Sequence, residues 1–154
     1  MIKKSVFAAL AALALPTSSI SQTPAVDYNI SAIAPGSWSY LAVPGGSEAR
    51  FTDASATIRL TIHCTKATRR VMISHASAAP ASSLFVWTSS ASRTLPAQFD
   101  SKGMRVTTDL AANDPLLDAL AFSRGRIVVS MPGASPLVVP AWAEPTRAVE
   151  DCRI

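Results

Sequence analysis

The sequence has few of the residues on which most enzyme chemistry depends. It contains two histidines and two cysteines, and only 16% of its residues are charged. It has no G-x-S-x-G or S-x-x-K nucleophile motif, no H-E-x-x-H zinc motif, no P-loop and no G-x-G-x-x-G dinucleotide motif. The cysteines are not spaced as C-x-x-C, so a structural metal site is not expected. The sequence therefore predicts a protein that is not an enzyme and has no metal or cofactor.

Beyond the first residues the chain also lacks a long apolar run. Lys3 and Lys4 precede a short apolar stretch, Val6 to Leu15, which is followed by Pro16. This pattern is typical of a Sec-type signal peptide, because a membrane span needs about 20 apolar residues. Small residues near Ser21 place the cut after it. We expect a signal peptide over residues 1–21, export to the periplasm or beyond the cell, and no membrane anchor after cleavage.

The exported part has little excess charge. The signal peptide removes two of the fourteen basic residues and none of the ten acidic ones, so the formal charge falls from +4 to +2. Such a small excess, in an exported chain, argues against nucleic acid as the partner. Residues 22–36 are small, polar and proline-containing, and predict a flexible leader. The remainder, residues 37–154, has the length of one domain with its own core.

The two cysteines, Cys64 and Cys152, are expected to form a disulfide. An even number of cysteines in an exported chain favours pairing. Two unpaired thiols would require a reducing compartment, which the signal peptide argues against. The bond would tie the middle of the chain to its last segment.

The clearest strand runs from Ala56 to Cys64. Ile58, Leu60, Ile62 and Cys64 alternate with polar residues, which is the period of a half-buried strand. We expect a hairpin with the following strand, residues 69–75, in which Cys64 faces Arg69, Ile62 faces Val71, Leu60 faces Ile73 and Ile58 faces His75. The same register places His63 beside Arg70 on the polar face, and leaves the two histidines on opposite faces.

The rest of the chain shows the same strand-like alternation of apolar and polar residues, except in two segments where the apolar residues are spaced as in a helix. Asp114 and Pro115 are an N-cap and a first helical residue, and an apolar stripe follows them. A last short helix begins near Pro145 and brings Cys152 towards Cys64. About nine short strands and two short helices predict a mainly β domain bordering on α+β, an antiparallel β-sandwich-like domain with one disulfide. The other expected strands are residues 38–43 and 48–52 around the turn 44–46, 84–88 (buried on both faces or nearly so), 95–99 and 104–108, and 126–131 and 137–139.

Four segments, in this order, resemble a known family. They are W-S-Y-L-A-V (38–43), R-L-T-I-H-C (59–64), D-P-L-L-D-A-L-A-F-S-R-G-R-I-V-V (114–129) and L-V-V-P-A-W-A-E-P-T-R-A-V-E-D-C (137–152). Together they resemble small periplasmic proteins of the invasion-associated locus B type, and the layout is also similar to type VI secretion-associated periplasmic proteins. The resemblance implies a β-rich envelope protein that binds or modulates another component. It provides no catalytic residues to transfer.

Basic residues give the best candidate for a binding surface. Several lie at one end of the predicted hairpin and along its polar face, where they would contact an envelope protein or an anionic envelope component such as lipopolysaccharide phosphate. The alternative is a solvated face that keeps the protein soluble. Trp142, between two prolines, is the tryptophan most expected to be exposed. The candidate surface consists of Arg59, His63, Lys66, Arg69, Arg70 and Trp142.

The sequence therefore predicts a non-catalytic binding, inhibitor or accessory module of the bacterial envelope. One alternative is a small envelope hydrolase that uses a serine and His75, which requires a serine hydroxyl within hydrogen-bond reach of that histidine. Another is a purely structural envelope protein. The sequence does not identify the ligand or the oligomeric state, and does not separate the periplasm from the exterior.

Overall fold

The computed structural model describes residues 26–154, which form an antiparallel β-sandwich-like domain with two helices and one disulfide, as predicted. The predicted signal peptide and its cleavage site lie outside these residues. Ten strands, rather than about nine, are present in the described part of the chain. They are β1 (Gly36–Val43), β2 (Gly46–Asp53), β3 (Ile58–Thr65), β4 (Arg70–Ala76), β5 (Ser83–Trp87), β6 (Ser92–Pro96), β7 (Gln98–Asp100), β8 (Arg105–Ala111), β9 (Arg126–Ser130) and β10 (Leu137–Pro140), with helices α1 (Pro115–Ala121) and α2 (Ala143–Asp151).

The larger sheet has six strands in the order β1-β2-β3-β4-β8-β7. Its period-two pattern directs one set of apolar side chains towards the second sheet and leaves polar side chains outside. The inner side chains are buried, and each large apolar one contributes about 1.5–3 kcal/mol by leaving water. Members of this inner face include Phe51, Leu60, Ile62, Ile73 and Val106.

The smaller sheet has four strands in the order β10-β9-β5-β6. Strand β5 was expected to be buried on both faces or nearly so; Leu84 and Val86 are completely buried, whereas Phe85 and Trp87 on the other face are half-buried. The outer pair contacts the ring of Tyr28, whose centroid lies 6.2 Å from that of Phe85 and 5.7 Å from that of Trp87. Thus a side chain from the segment that precedes β1 covers part of the outer face of this sheet.

The β3–β4 hairpin forms with the predicted faces but with a different register. Cys64 pairs with Val71 rather than Arg69, Ile62 with Ile73, and Leu60 with His75. A shift of two residues leaves the same side chains inside, because side chains alternate with period two. The shift arises because the turn contains a 3-10 segment, Lys66–Thr68, followed by Arg69 at φ 52°.

The two helices cover the end of the larger sheet that contains Cys64. Asp114 caps α1 by accepting a hydrogen bond from the Leu116 N–H at 2.8 Å, as the sequence indicates. Helix α2 buries Ala148 and Val149 and brings Cys152 into a disulfide with Cys64, with 5.4 Å between the Cα atoms. The predicted pairing is confirmed. Neither helix has the length and hydropathy needed to span a bilayer, among the residues described.

Candidate binding cleft

The turn between β3 and β4 positions the first arginine of the candidate site. The Arg69 N–H donates to the Lys66 carbonyl at 3.2 Å, and the Thr68 hydroxyl donates to the Thr65 carbonyl at 3.4 Å. These local bonds close the turn while leaving the side chains of Lys66, Arg69 and Arg70 exposed. The turn therefore presents three cations at one end of the larger sheet.

The C-terminus adds a further arginine to this end. Because Cys152 is bonded to Cys64, the next residue, Arg153, lies beside the β3–β4 turn. Arg153 Nε donates to the Ala112 carbonyl at 2.9 Å, and the Arg69 guanidinium donates to the Arg153 carbonyl. Arg153 Nη2 lies 2.7 Å from Asp118 Oδ1 without the alignment of a hydrogen bond. Three separate segments therefore lie next to one another: the β3–β4 turn, α1 and the C-terminus.

Between these segments lies a cleft of about 550 Å³, which we call the arginine cleft. It contains three arginines and one carboxylate, and Arg70 is also paired with Asp109 outside the lining, at 2.6 Å. Among residues 26–154, no carboxylate pairs with Arg69. The lining residues are Thr68, Arg69, Arg70, Ala111, Ala112, Asn113, Asp118 and Arg153.

The arrangement favours an anionic group. A guanidinium carries five N–H donors in a plane, matches carboxylate and phosphate geometry, and remains charged at all physiological pH values. The Arg69 guanidinium uses one donor on a carbonyl, and its other N–H groups make no hydrogen bond within residues 26–154, whereas Arg153 Nη2 already lies beside the Asp118 carboxylate. Such donors gain most from an ionised acceptor. The cleft can therefore receive a carboxylate or phosphate group.

The remaining members of the predicted binding surface lie elsewhere. Arg59 is near the opposite end of β3, about 20 Å along the strand from the turn at 3.3 Å per residue, and pairs with Asp53 at 3.4 Å. Trp142 is 47% exposed but is the N-cap residue of α2, at the far end of that helix from Cys152. The structure brings together Lys66, Arg69 and Arg70, and separates Arg59 and Trp142 from them.

His63 has a different neighbour from the one expected. In the observed register it lies opposite Glu48 on β2 and Met72 on β4, and its Nδ1 is 2.9 Å from Glu48 Oε1. Arg70 instead pairs with Asp109. The expectation that His63 lies beside Arg70 was wrong, because it depended on the register that the turn shifts by two residues.

His75 is on the opposite face from His63, as predicted, and is buried with 3% exposure. Its Nδ1–H donates to the Ala76 carbonyl at 2.7 Å, and Nε2 has no hydrogen-bond partner in the described structure. No serine hydroxyl is hydrogen-bonded to either nitrogen within residues 26–154. The geometry does not provide the contact that a serine–His75 hydrolase requires.

Burial lowers the pKa of His75 below its usual 6.5, and this effect exceeds the opposing hydrogen bond to Ala76. Below pH 6.5 the unfolded chain binds a proton that the folded chain excludes, so the free energy of unfolding should fall as the pH drops from 7 towards 5. We expect His75→Asn, whose side-chain amide can still donate to Ala76, to reduce this slope. Urea unfolding at several pH values measures it. Equal slopes for both proteins would contradict the assignment.

The sequence reasoning missed Arg153, Asn113 and Asp118 as members of the cleft. The expected disulfide was the signal that could have found Arg153, because it places the residue after Cys152 beside the strand that ends at Cys64. Asn113 and Asp118 depend on how α1 packs, which the sequence pattern does not specify.

Comparison with known proteins assigns the chain to no group. No family model matches it, and neither the curated proteins nor the solved structures include a significant match.

Proposed function

We propose that this protein is an exported, non-catalytic binding module of the bacterial envelope that recognises an anionic group on its partner through the arginine cleft. The observation that carries the proposal is the Arg69 guanidinium, which lines the cleft and, within residues 26–154, has no carboxylate partner. Arg70 and Arg153 lie in the same lining but are paired with Asp109 and Asp118.

Export and the envelope location are supported by the sequence. The basic start, the short apolar run and the small residues before Gln22 form a signal-peptide pattern. The order of segments resembles small periplasmic proteins of the invasion-associated locus B type. A disulfide such as Cys64–Cys152 persists in an oxidising compartment, which favours the same location.

Among the described residues no serine hydroxyl is hydrogen-bonded to His75, which makes the hydrolase a weaker explanation than binding. A purely structural role differs from the proposal in one respect, since it requires no ligand at the cleft. An experiment on the cleft therefore separates the two.

Arg69→Gln is expected to weaken partner binding about 5- to 10-fold, because one charge-assisted hydrogen bond is lost. The measurement uses protein recovered from the periplasm. Identifying its first residue, which is expected to be Gln22, also tests export. Immobilised protein is exposed to solubilised envelope components at low and high salt, and the retained material is quantified. Retention should fall at high salt, because partly exposed charges are screened.

Arg124→Gln is the matched control, since Arg124 is an exposed arginine outside the cleft. It removes the same charge and should leave binding unchanged. Equal retention by wild type, Arg69→Gln and Arg124→Gln would contradict recognition through the cleft. Failure of the wild-type protein to retain any component would favour the structural role.

A further inference from the structure

The strand β8 is paired along only part of one side. On one side it pairs with β4 along its whole length, from Arg105 to Ala111. On the other side β7 pairs only with Arg105, Val106 and Thr107. Within residues 26–154, the second half of β8, Thr108–Ala111, is therefore an open edge of the larger sheet.

The backbone N–H groups of Asp109 and Ala111 face this open edge. Ala112 N–H donates to the Arg69 carbonyl on the β4 side at 2.9 Å, and alternate residues of a strand direct their N–H and C=O to the same side, so Leu110 faces β4. Asp109 and Ala111 consequently face away from β4. Their carbonyls accept from Arg70 Nη2 at 3.1 Å and from the Asp114 N–H at 2.9 Å. Their N–H groups have no acceptor within the described part of the chain.

The edge is open because the chain joins the larger sheet only after Pro96, which is the last residue of β6 in the smaller sheet. A continued β7 would place Pro96 opposite Asp109, but proline has no N–H to donate. The Pro96 carbonyl instead accepts from the Thr108 hydroxyl at 2.8 Å, and the Ala97 N–H donates to the carbonyl of Ser82, the residue before β5, at 2.9 Å. The gap follows from the crossing between sheets.

A cavity of about 570 Å³ lies along this edge, lined by Thr107–Leu110 of β8 and by Met72, Leu95 and Gln98 among others. The next residues of β8 and its extension, Ala111 and Ala112, line the arginine cleft. One continuous stretch, residues 107–112, therefore lines a cavity with both apolar and polar walls at one end and a basic cleft at the other.

We infer that this edge receives an extended segment of an acidic partner protein as an added strand, with an acidic side chain of that segment in the arginine cleft. The inference rests on the proposed function and names its partner. Two N–H donors without an acceptor in residues 26–154 provide main-chain pairing, the half-buried Met72 provides apolar contact, and Arg69 provides the charge complement. The Asp109 carboxylate does not oppose this, because Arg70 pairs with it.

The test uses the exported chain, labelled with ¹⁵N, and a panel of acetylated and amidated pentapeptides in which valine or threonine alternates with glutamate. Saturating peptide should slow amide hydrogen exchange at Asp109 and Ala111 about tenfold, and should leave Leu110, already paired with β4, unchanged. Replacing glutamate by lysine, or the central residue by proline, should weaken binding about tenfold.

Ala111→Pro tests the edge directly, because it removes an N–H that the fold does not use, while Ala111→Ser keeps it. With the unfolding midpoint of both variants preserved, only Ala111→Pro should lose peptide binding. If Ala111→Pro proves unstable, the peptide with a central proline tests the same main-chain pairing from the side of the ligand. Peptides that shift the amide resonances of Arg69 and Arg153 without slowing hydrogen exchange at Asp109 and Ala111 would contradict strand addition. That result would still be compatible with binding in the arginine cleft. An absence of peptide binding, while envelope components still bind through Arg69, would also overturn strand addition.

Discussion

Cys152→Ala is expected to lower the free energy of unfolding by about 4.6 kcal/mol, from the chain entropy of a closed loop of this length. The two cysteines are separated by 88 positions, so the bond removes a large number of conformations from the unfolded chain. A small domain has a net stability of only about 5–15 kcal/mol. The loss should therefore be apparent as a large decrease in the urea midpoint, measured by circular dichroism without reductant.

The wild-type protein with reductant is the matched comparison, because it opens the bond without changing the side chains. Its unfolding midpoint should approach that of the double variant Cys64→Ala/Cys152→Ala. Helix α2 also has buried contacts through Ala148 and Val149. The reduced protein can therefore keep the fold of the sandwich while having a lower unfolding midpoint, which is compatible with the prediction. An unchanged midpoint on reduction would show that the cysteines are not paired in solution.

The same bond holds the arginine cleft together. Arg153 follows Cys152 directly, and its carbonyl accepts from Arg69. Loss of the disulfide removes the covalent link that holds this carbonyl and the Arg153 guanidinium next to the β3–β4 turn. The stability of the domain and the geometry of the arginine cleft therefore depend on the same covalent bond.

The strand pattern of the sequence predicted faces better than registers. Period-two alternation in β3 placed Leu60, Ile62 and Cys64 inside, and they are completely buried. The alternation does not distinguish registers that differ by two residues, since the same side chains remain inside. Only the turn decides between them, and no glycine or asparagine marks the left-handed position that Arg69 occupies. The error in the neighbour of His63 has the same origin.

The candidate site was predictable where its residues are neighbours in sequence. Arg69 and Arg70 are consecutive, and a turn between two strands exposes both. Grouping Arg59 with them failed because β3 is extended, and an extended strand separates its ends by about 20 Å over six residues. The open edge of β8 was beyond sequence reasoning, because it depends on the chain changing sheets at Pro96.

Gly45, in the turn between β1 and β2, and Gly46, the first residue of β2, have different roles. Gly45 has φ +78°, and a Cβ added to it would meet no atom within 4 Å. Gly46 has an ordinary backbone conformation, but a Cβ added there would lie 1.8 Å from the Cys64 carbonyl oxygen. Gly46 pairs with Thr65 next to Cys64, so β2 can approach β3 closely only because this residue has no side chain.

We therefore expect Gly46→Ala to lower the free energy of unfolding by about 3 kcal/mol, because the colliding atom is backbone and cannot move without separating β2 from β3. Gly45→Ala is the matched control and should lower it by only about 1 kcal/mol, the penalty for an alanine in the left-handed region. Urea unfolding of both variants with the disulfide intact measures the difference. Equal losses of unfolding free energy, or a larger loss for Gly45→Ala, would mean that the need for glycine here comes from backbone conformation rather than from the close approach of β2 and β3. A larger loss for Gly46→Ala than for Gly45→Ala would instead show that the close contact between β2 and β3, the strand that carries the disulfide, is the stricter requirement for glycine.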